Sequence, residues 1–269
     1  MEKNILNRFI LIVFMLSLSS CNLQDNMLYF PSTQKPSQAS LTPNHIKFWG
    51  AAIDDYRGYM STVPIPNPKG TVIVFHGNAG DAASRTSYVH ALTPLGYRVI
   101  LAEYPGYGGR KGELGEAVFV KDAKETVRLA FEQFGKPIFL LGESLGCGVA
   151  AAVAKDSSVQ IDGIILITPW DTLLSVAKEN FPWLPVRLFL KDNYDSIENL
   201  KAFQGRIAIV GAEQDQIIPV HHAHALYQTL PCNKKKMWTI KGAGHNDWFD
   251  RVGPSWWQTI TDYAGGRDN

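Results

Sequence analysis

Gly142-Glu143-Ser144-Leu145-Gly146 is the stretch of this 269-residue chain that decides its fold. It follows the apolar run 137–141 and precedes the alanine-rich run 149–154, which predict a buried strand and a buried helix. Glycines two residues before and two residues after Ser144 let the chain pass through a sharp turn that lifts the hydroxyl above the sheet edge. The amide of Leu145 then lies at a helix N-terminus, where it can donate to a developing oxyanion. The alternative is a turn that only connects strand to helix.

Apolar strands alternate with helical stretches on both sides of this turn. Strands are predicted at 71–75, 97–103, 163–168, 206–211 and 236–240, with two more between 46 and 63, and helices at 83–95, 116–134, 220–230 and 248–263. This order predicts an α/β fold with a mostly parallel central sheet and helices on both faces. Ligands of such sheets bind at the carboxyl ends of the strands, so the chemistry is expected there.

Residues 169–203 interrupt the alternation. The run Phe181-Pro182-Trp183-Leu184-Pro185-Val186-Arg187-Leu188-Phe189-Leu190 inside this segment is too apolar for a solvated loop and predicts a small helical cap. Trp183 and Phe189 are the candidates for lining a substrate pocket near Ser144. The alternative is that these side chains only pack the cap onto the domain.

A nucleophilic serine needs a base, and the base needs an acid that orients it. The strand ending at Val210 runs into a loop that contains Asp215, and the next strand runs into Gly244-His245-Asn246. Asp215 and His245 are therefore the candidate acid and base. Glu213, in the same loop, and Asp171, after an earlier strand, remain alternative acids, with a loop hydrogen bond or a helix cap as their structural roles.

His76-Gly77-Asn78-Ala79-Gly80 follows the predicted strand 71–75. A glycine-rich turn at this place can direct a backbone amide toward the serine and so supply the second donor for an oxyanion. The amide of Asn78 is the first candidate and that of Ala79 the second, with Leu145 as the other donor. His76 is expected to brace the loop.

These motifs resemble the α/β-hydrolase superfamily and, within it, the serine-aminopeptidase-like branch. They are Val74-Phe75-His76-Gly77-Asn78-Ala79-Gly80, Glu103-Tyr104-Pro105-Gly106-Tyr107-Gly108, the turn around Ser144, Asp215 with Pro219, and Gly244-His245, and the likeness covers residues 44–264. The resemblance implies the chain order serine, acid, histidine and favours Asp215, because an Asp-x-x-x-Pro run before a helix is the usual family context.

The resemblance further implies an enzyme that acts on a small-molecule acyl substrate through Ser144, Asp215 and His245, without a metal or an organic cofactor. A carboxylic ester is the favoured bond, and an amide or a thioester is the alternative on the same triad. The alternative from another class is a non-catalytic envelope lipoprotein that binds a partner.

The N-terminal sequence predicts that the protein is exported from the cytoplasm. Lys3 and Arg8 precede an eight-residue apolar core at 9–16, which is too short to span a bilayer. Leu18-Ser19-Ser20-Cys21 resembles a bacterial lipoprotein signal, which implies that residues 1–20 are removed and that Cys21 carries the lipid. Asn22 after the cysteine implies the outer membrane. An ordinary signal peptide cleaved nearby is the alternative.

The remaining expectations concern domains, partners and metals. Residues 21–43 are polar and predict a tether, in which Met27-Leu28-Tyr29-Phe30-Pro31 is an apolar patch able to pack on the domain, and residues 44–269 predict the catalytic domain. The chain has 26 Lys and Arg against 25 Asp and Glu, which gives no reason to expect a nucleic-acid partner. Histidines 221, 222 and 224 are expected to be solvated rather than metal ligands. Cys147 is expected to be a core thiol, with a disulfide to Cys232 as the alternative.

Overall fold

Eight strands form the central sheet of the computed structural model, which describes residues 24–52 and 55–267. The strands are β1 Phe30–Pro31, β2 Ile46–Gly50, β3 Tyr56–Ser61, β4 Thr71–Phe75, β5 Ala79–Gly80, β6 Arg98–Ala102, β7 Ile138–Glu143, β8 Gly163–Ile167, β9 Arg206–Ala212 and β10 Lys235–Ile240. The helices are α1 Gln38–Leu41, α2 Thr86–Leu92, α3 Glu116–Phe134, α4 Leu145–Asp156, α5 Leu173–Asn180, α6 Ser196–Leu200, α7 Val220–Thr229 and α8 Pro254–Ala264. Strands β1 and β5 make a separate two-stranded sheet.

The central sheet has the order β10-β9-β8-β7-β4-β6-β3-β2. All neighbours from β10 to β6 are parallel, and β3 and β2 continue the sheet antiparallel. The predicted mostly parallel α/β fold is confirmed. Strands β7 and β4 lie at the centre, so the loops that follow them meet at one place on the carboxyl edge of the sheet.

The core lies in two layers, one on each face of the sheet. Every residue of β4 and of β8 is buried, which explains why these strands are continuously apolar rather than alternating. The alanine-rich α4 is buried along residues 145–153, because small side chains let it lie close to the sheet and to the cap. A methyl group added at Gly148 would stand 2.7 Å from the ring of Tyr194, which marks that close approach.

Two segments differ from the simple strand–helix alternation. The cap, residues 169–203, contains α5, a 3-10 turn at Val186–Leu188 and α6. The helix predicted over 248–263 is divided into a 3-10 turn at Trp248–Arg251 and α8, which begins at Pro254. Proline suits the first turn of a helix because its missing N–H would have no intrahelical partner there, so it starts a new helix after Gly253.

The first described residues, from Gln24 onward, lie against the domain, within the stretch 21–43 that the sequence predicts to be a tether. Strand β1 pairs in parallel with β5, and Tyr29 is 3% exposed. Asp192 accepts hydrogen bonds from the side chains of Gln24, at 2.6 Å, and Tyr29, at 2.5 Å. The apolar patch around Tyr29 therefore packs on the domain. Within the described residues, no helix combines the length and the hydrophobicity that crossing a bilayer requires.

Candidate active site

Ser144 occupies a sharp turn between β7 and α4, with φ 53° and ψ −117°. A residue other than glycine is strained in this region, and such strain concentrates at functional sites. A methyl group at Gly146 would stand 1.9 Å from the carbonyl oxygen of Phe75, and one at Gly142 would stand 2.5 Å from the carbonyl oxygen of Gly146. Both glycines are therefore required by backbone approach, and the turn they allow presents the Ser144 hydroxyl at the sheet edge.

The structure brings Ser144, His245 and Asp215 together in a hydrogen-bonded row. The Nδ1–H of His245 donates to Oδ2 of Asp215 at 2.7 Å, and the Ser144 hydroxyl donates to Nε2 of His245 at 3.0 Å. The side chain of Asp215 is fully buried and that of His245 is 11% exposed. Asp215 thus fixes the tautomer that leaves Nε2 free to accept a proton from the serine.

Asp215 is itself held by the backbone. Its Oδ1 accepts from the amides of Ile217, at 2.9 Å, and Ile218, at 2.8 Å. These two bonds fix the carboxylate so that Oδ2 points at the imidazole. Buried carboxylate oxygens need such donors, because burying a polar group without a hydrogen bond costs free energy.

The two alternative acids have other partners. Glu213 accepts from the amide of Gly242 at 2.7 Å. Asp171 accepts from the Nδ1–H of His222 at 2.8 Å and from the hydroxyl of Ser175. Both carboxylates are therefore structural, and the acid that contacts His245 is Asp215.

The loop that carries Asn78 is fixed from two directions. The side-chain amide of Asn78 donates to the carbonyl of Leu28 at 2.9 Å. The backbone carbonyl of Asn78 accepts from the amide of Phe30, at 2.9 Å, and from the hydroxyl of Tyr107, at 2.7 Å. Asn78 and Leu145 both line the pocket that contains Ser144. The N-terminal segment, which the sequence does not identify as part of the site, thus holds the predicted oxyanion loop in place.

His76 is buried behind this loop and bonds through both ring nitrogens. Its Nδ1–H donates to the carbonyl of Gly77 at 2.7 Å, and Nε2 lies 3.1 Å from Oε1 of Glu103. The other oxygen of Glu103 accepts from the amide of Ala82 at 3.0 Å. His76 therefore braces the loop after β4 against Glu103, which directly follows the neighbouring strand β6.

An apolar pocket of about 240 Å³ opens at Ser144. The side chains that line it are mostly aliphatic or aromatic and come from the cap, the N-terminal segment and the Asp215 loop: Met27, Leu28, Trp170, Leu173, Val176, Ala177, Phe181, Leu184, Val186, Phe189, Leu190, Ile217 and Ile218. Phe189, a candidate for the substrate pocket, lies in this lining. Sequence reasoning missed Met27 and Leu28, whose only signal is their apolar character within a polar segment.

Trp183 does not line the pocket. It is 78% exposed, because the chain makes a turn in which the amide of Leu184 donates to the carbonyl of Phe181 at 3.0 Å. That turn directs Leu184 toward the pocket and Trp183 outward. The assignment of Trp183 to the substrate pocket is therefore corrected.

Outside the triad, the structure also shows the state of the two cysteines and of His222. Cys147 and Cys232 are both free, and the Cys147 thiol is buried, where desolvation raises its pKa. His222 is 4% exposed rather than solvated. Its burial opposes protonation, but the hydrogen bond to Asp171 and the charges of Asp171 and Glu179 outweigh burial and raise the pKa of His222. Cys21 lies outside the described residues.

Comparison with known proteins places this site in a family. The profile of the family described as serine aminopeptidase, S33, matches residues 66–184. An uncharacterized protein of Mycobacterium tuberculosis is 31% identical over 232 residues, which cover 83% of this chain and 81% of that protein. The alpha/beta hydrolase domain-containing protein 17C of Homo sapiens is 26% identical over 215 residues, which cover 78% of this chain and 63% of that protein.

Solved structures share the fold at low sequence identity. An esterase of Pyrococcus furiosus has a TM-score of 0.65 at 15% identity, covering 88% of this chain and 96% of that chain. A monoacylglycerol lipase of Paleococcus ferrophilus has a TM-score of 0.54 at 19% identity, covering 76% of this chain and 97% of that chain. With the nucleophile turn, the order of strands and the Mycobacterium relative, the comparisons show that this chain belongs to the α/β-hydrolase superfamily and, within it, to the serine aminopeptidase S33 family.

Proposed function

We propose that this protein is a serine hydrolase that cleaves carboxylic esters of apolar acyl groups. One observation carries the proposal: the Ser144 hydroxyl, already hydrogen-bonded to His245, borders an apolar pocket of about 240 Å³. Catalytic geometry alone would fit many acyl substrates. The apolar lining selects those with a hydrocarbon acyl part.

In the first half of the reaction, Oγ of Ser144 attacks the acyl carbonyl while Nε2 of His245 takes the hydroxyl proton. Asp215 stabilises the imidazolium that forms. The backbone amides of Asn78 and Leu145 donate to the oxyanion, where preorganised donors contribute most in a site closed to water. The tetrahedral intermediate then collapses, the alcohol leaves with the proton from His245, and an acyl-enzyme remains on Ser144.

In the second half, a water molecule attacks the acyl-enzyme and gives its proton to His245. Collapse of this intermediate returns the proton to Oγ of Ser144 and releases the carboxylic acid. The chain's own groups supply every proton transfer in this cycle.

The size of the pocket narrows the substrate. Its volume of about 240 Å³ is below the roughly 300–1,000 Å³ of pockets that hold drug-sized ligands. We therefore expect short to medium acyl chains to be preferred over long chains and over bulky peptide side chains. An esterase and a monoacylglycerol lipase are among the solved proteins with this fold, which supports an ester as the bond.

We also propose that the protein is held at the bacterial outer membrane by a lipid on Cys21. The run Leu18-Ser19-Ser20-Cys21 and the Asn22 that follows support this location. Two or three acyl chains would anchor the protein stably, whereas one would not.

A panel of p-nitrophenyl esters of graded acyl length, with matched anilides and thioesters, tests the activity. We expect ester hydrolysis with a maximum at short to medium chains, and a loss on the order of 10³-fold or more in Ser144→Ala. A fluorophosphonate probe should label the native protein and leave Ser144→Ala unlabelled. Turnover close to the native rate in Ser144→Ala would remove the mechanism, and absence of both labelling and turnover in the native protein would favour a binding lipoprotein.

A further inference from the structure

A second group of reactive side chains joins the cap to the domain. Oε2 of Glu179, at the end of α5, accepts from Nε2 of His221 at 2.8 Å and from Nε2 of His222 at 3.1 Å, both at the start of α7. The three ligand atoms lie within 4.8 Å of one another. Imidazole nitrogens and carboxylate oxygens are common protein ligands of zinc and of similar divalent transition-metal ions.

The other ring nitrogen of His222 is held from behind. Its Nδ1–H donates to Oδ1 of Asp171 at 2.8 Å, and the hydroxyl of Ser175 donates to the same carboxylate. A carboxylate that binds the far nitrogen of a histidine is the usual companion of a metal ligand, because it fixes the tautomer and makes Nε2 a better donor to the ion. His222 is therefore oriented in advance toward the point where the three ligand atoms converge.

The geometry leaves room for an ion after small movements. Zinc–nitrogen distances are about 2.0–2.1 Å, which puts neighbouring ligand atoms of a tetrahedral site roughly 3.3 Å apart. The present contacts of 2.8 and 3.1 Å must open slightly. The side chains of Glu179 and His221 are 44% and 59% exposed and can turn, whereas His222, at 5%, stays fixed.

We propose that Glu179, His221 and His222 form a binding site for a divalent transition metal of the zinc type, with a water molecule as fourth ligand. His222 donates through both ring nitrogens, so an ion at its Nε2 displaces one proton to solvent, whereas His221 keeps its proton on Nδ1 when its Nε2 binds the ion. Because Leu173, Val176 and Ala177 of α5 line the acyl pocket, the ion fastens a wall of that pocket to the domain. The site is separate from the Ser144, Asp215 and His245 triad.

Cobalt spectroscopy on the untagged full-length protein, freed of metal by a chelator, tests the site. Co²⁺ should give the visible absorption of a four-coordinate site at one equivalent, and Zn²⁺ should abolish it by competition. His221→Ala and Glu179→Gln, both at exposed positions, should lose this absorption. His224→Ala is the matched control, because His224 is exposed on the same helix and outside the cluster, and it should bind as the native protein does.

Two further measurements distinguish a specific metal site from nonspecific binding of metal ions at the surface. Asp171→Asn should weaken Zn²⁺ about 10–100-fold while leaving one equivalent bound, since it removes only the carboxylate behind His222. At a Zn²⁺ concentration a hundredfold above Kd, the apparent Tm should rise by about 5–10 °C. Unchanged binding in His221→Ala, or equal losses in His221→Ala and His224→Ala, would overturn the proposal.

Discussion

Gly146 shows how strongly single positions of this protein are determined by backbone contact. A methyl group there would stand 1.9 Å from the carbonyl oxygen of Phe75, and the contact atom belongs to a buried central strand that cannot move aside. We expect Gly146→Ala to lower the free energy of unfolding by about 3 kcal/mol or more. Urea unfolding followed by circular dichroism measures the change.

Gly253 is the control for that variant. A methyl group at Gly253 would meet nothing within 4 Å, and its φ of −113° is open to any residue. Gly253→Ala, which alters only the residue preceding α8, should therefore cost about 1 kcal/mol or less. If both variants are equally stable, close backbone approach does not explain Gly146.

Asp215 is the position where a change of one atom should matter most to catalysis. In Asp215→Asn the side chain keeps its shape, but an amide can present a donor to Nδ1 of His245 and favour the wrong tautomer. We expect kcat to fall on the order of 10⁴-fold with little change in Tm. Steady-state kinetics on a short ester checks this, with Glu213→Gln, which lies in the same loop, as the control. If Asp215→Asn has only a mild effect and Glu213→Gln is damaging, Glu213 rather than Asp215 is the catalytic acid.

The residues of the triad could be chosen from the sequence, because catalysis restricts both their chemical type and their place after a strand. His222 could not be judged in the same way. Its partners Asp171 and Glu179 stand 51 and 43 positions earlier in the chain, and only the packing of the cap on α7 brings them together. A histidine that looks solvated in sequence is thereby buried between two carboxylates.

At the scale of elements, the cap separates two aromatic side chains that the sequence could not distinguish. Phe189 lines the pocket, and Trp183 is exposed beside it. Phe189→Ala should enlarge the pocket and move the preferred acyl length upward, whereas Trp183→Ala should leave the chain-length profile as it is. The measurement is kcat/KM across the ester series, with Tm for both variants. Identical profiles in both, with a lower Tm in Phe189→Ala alone, would give Phe189 a packing role only.

The periodicity of apolar residues predicted the strands of the central sheet and the helices beside it well, because each of these elements has a local pattern of buried side chains. It failed where an element depends on a distant contact or on backbone chemistry. The docked segment around Tyr29 needs Asp192, far along the chain, and the predicted helix over 248–263 divides because Pro254 must begin a helix rather than continue one.

At the scale of the whole molecule, the proposed lipid on Cys21 would decide where the protein works. We expect mass spectrometry of the protein from its native membrane to find the mature N-terminus at Cys21 with acyl chains attached. Cys21→Ser should release the protein from the membrane fraction and leave kcat/KM on a soluble ester unchanged. An unmodified Cys21, or a mature N-terminus elsewhere, would defeat the lipoprotein assignment.

The docked N-terminal segment has a consequence for kinetics if Cys21 carries the anchor. Gln24 borders the acyl pocket and is held by Asp192, and only three peptide steps separate it from Cys21. Extended chain covers at most about 3.3–3.6 Å per residue, so Gln24, at the edge of the pocket, would stay within roughly 11 Å of the lipid attachment point. Encounter with substrate would then depend on molecules per unit area of bilayer rather than per unit volume. Membrane lipids and water-soluble esters would accordingly obey two different rate laws in the same enzyme.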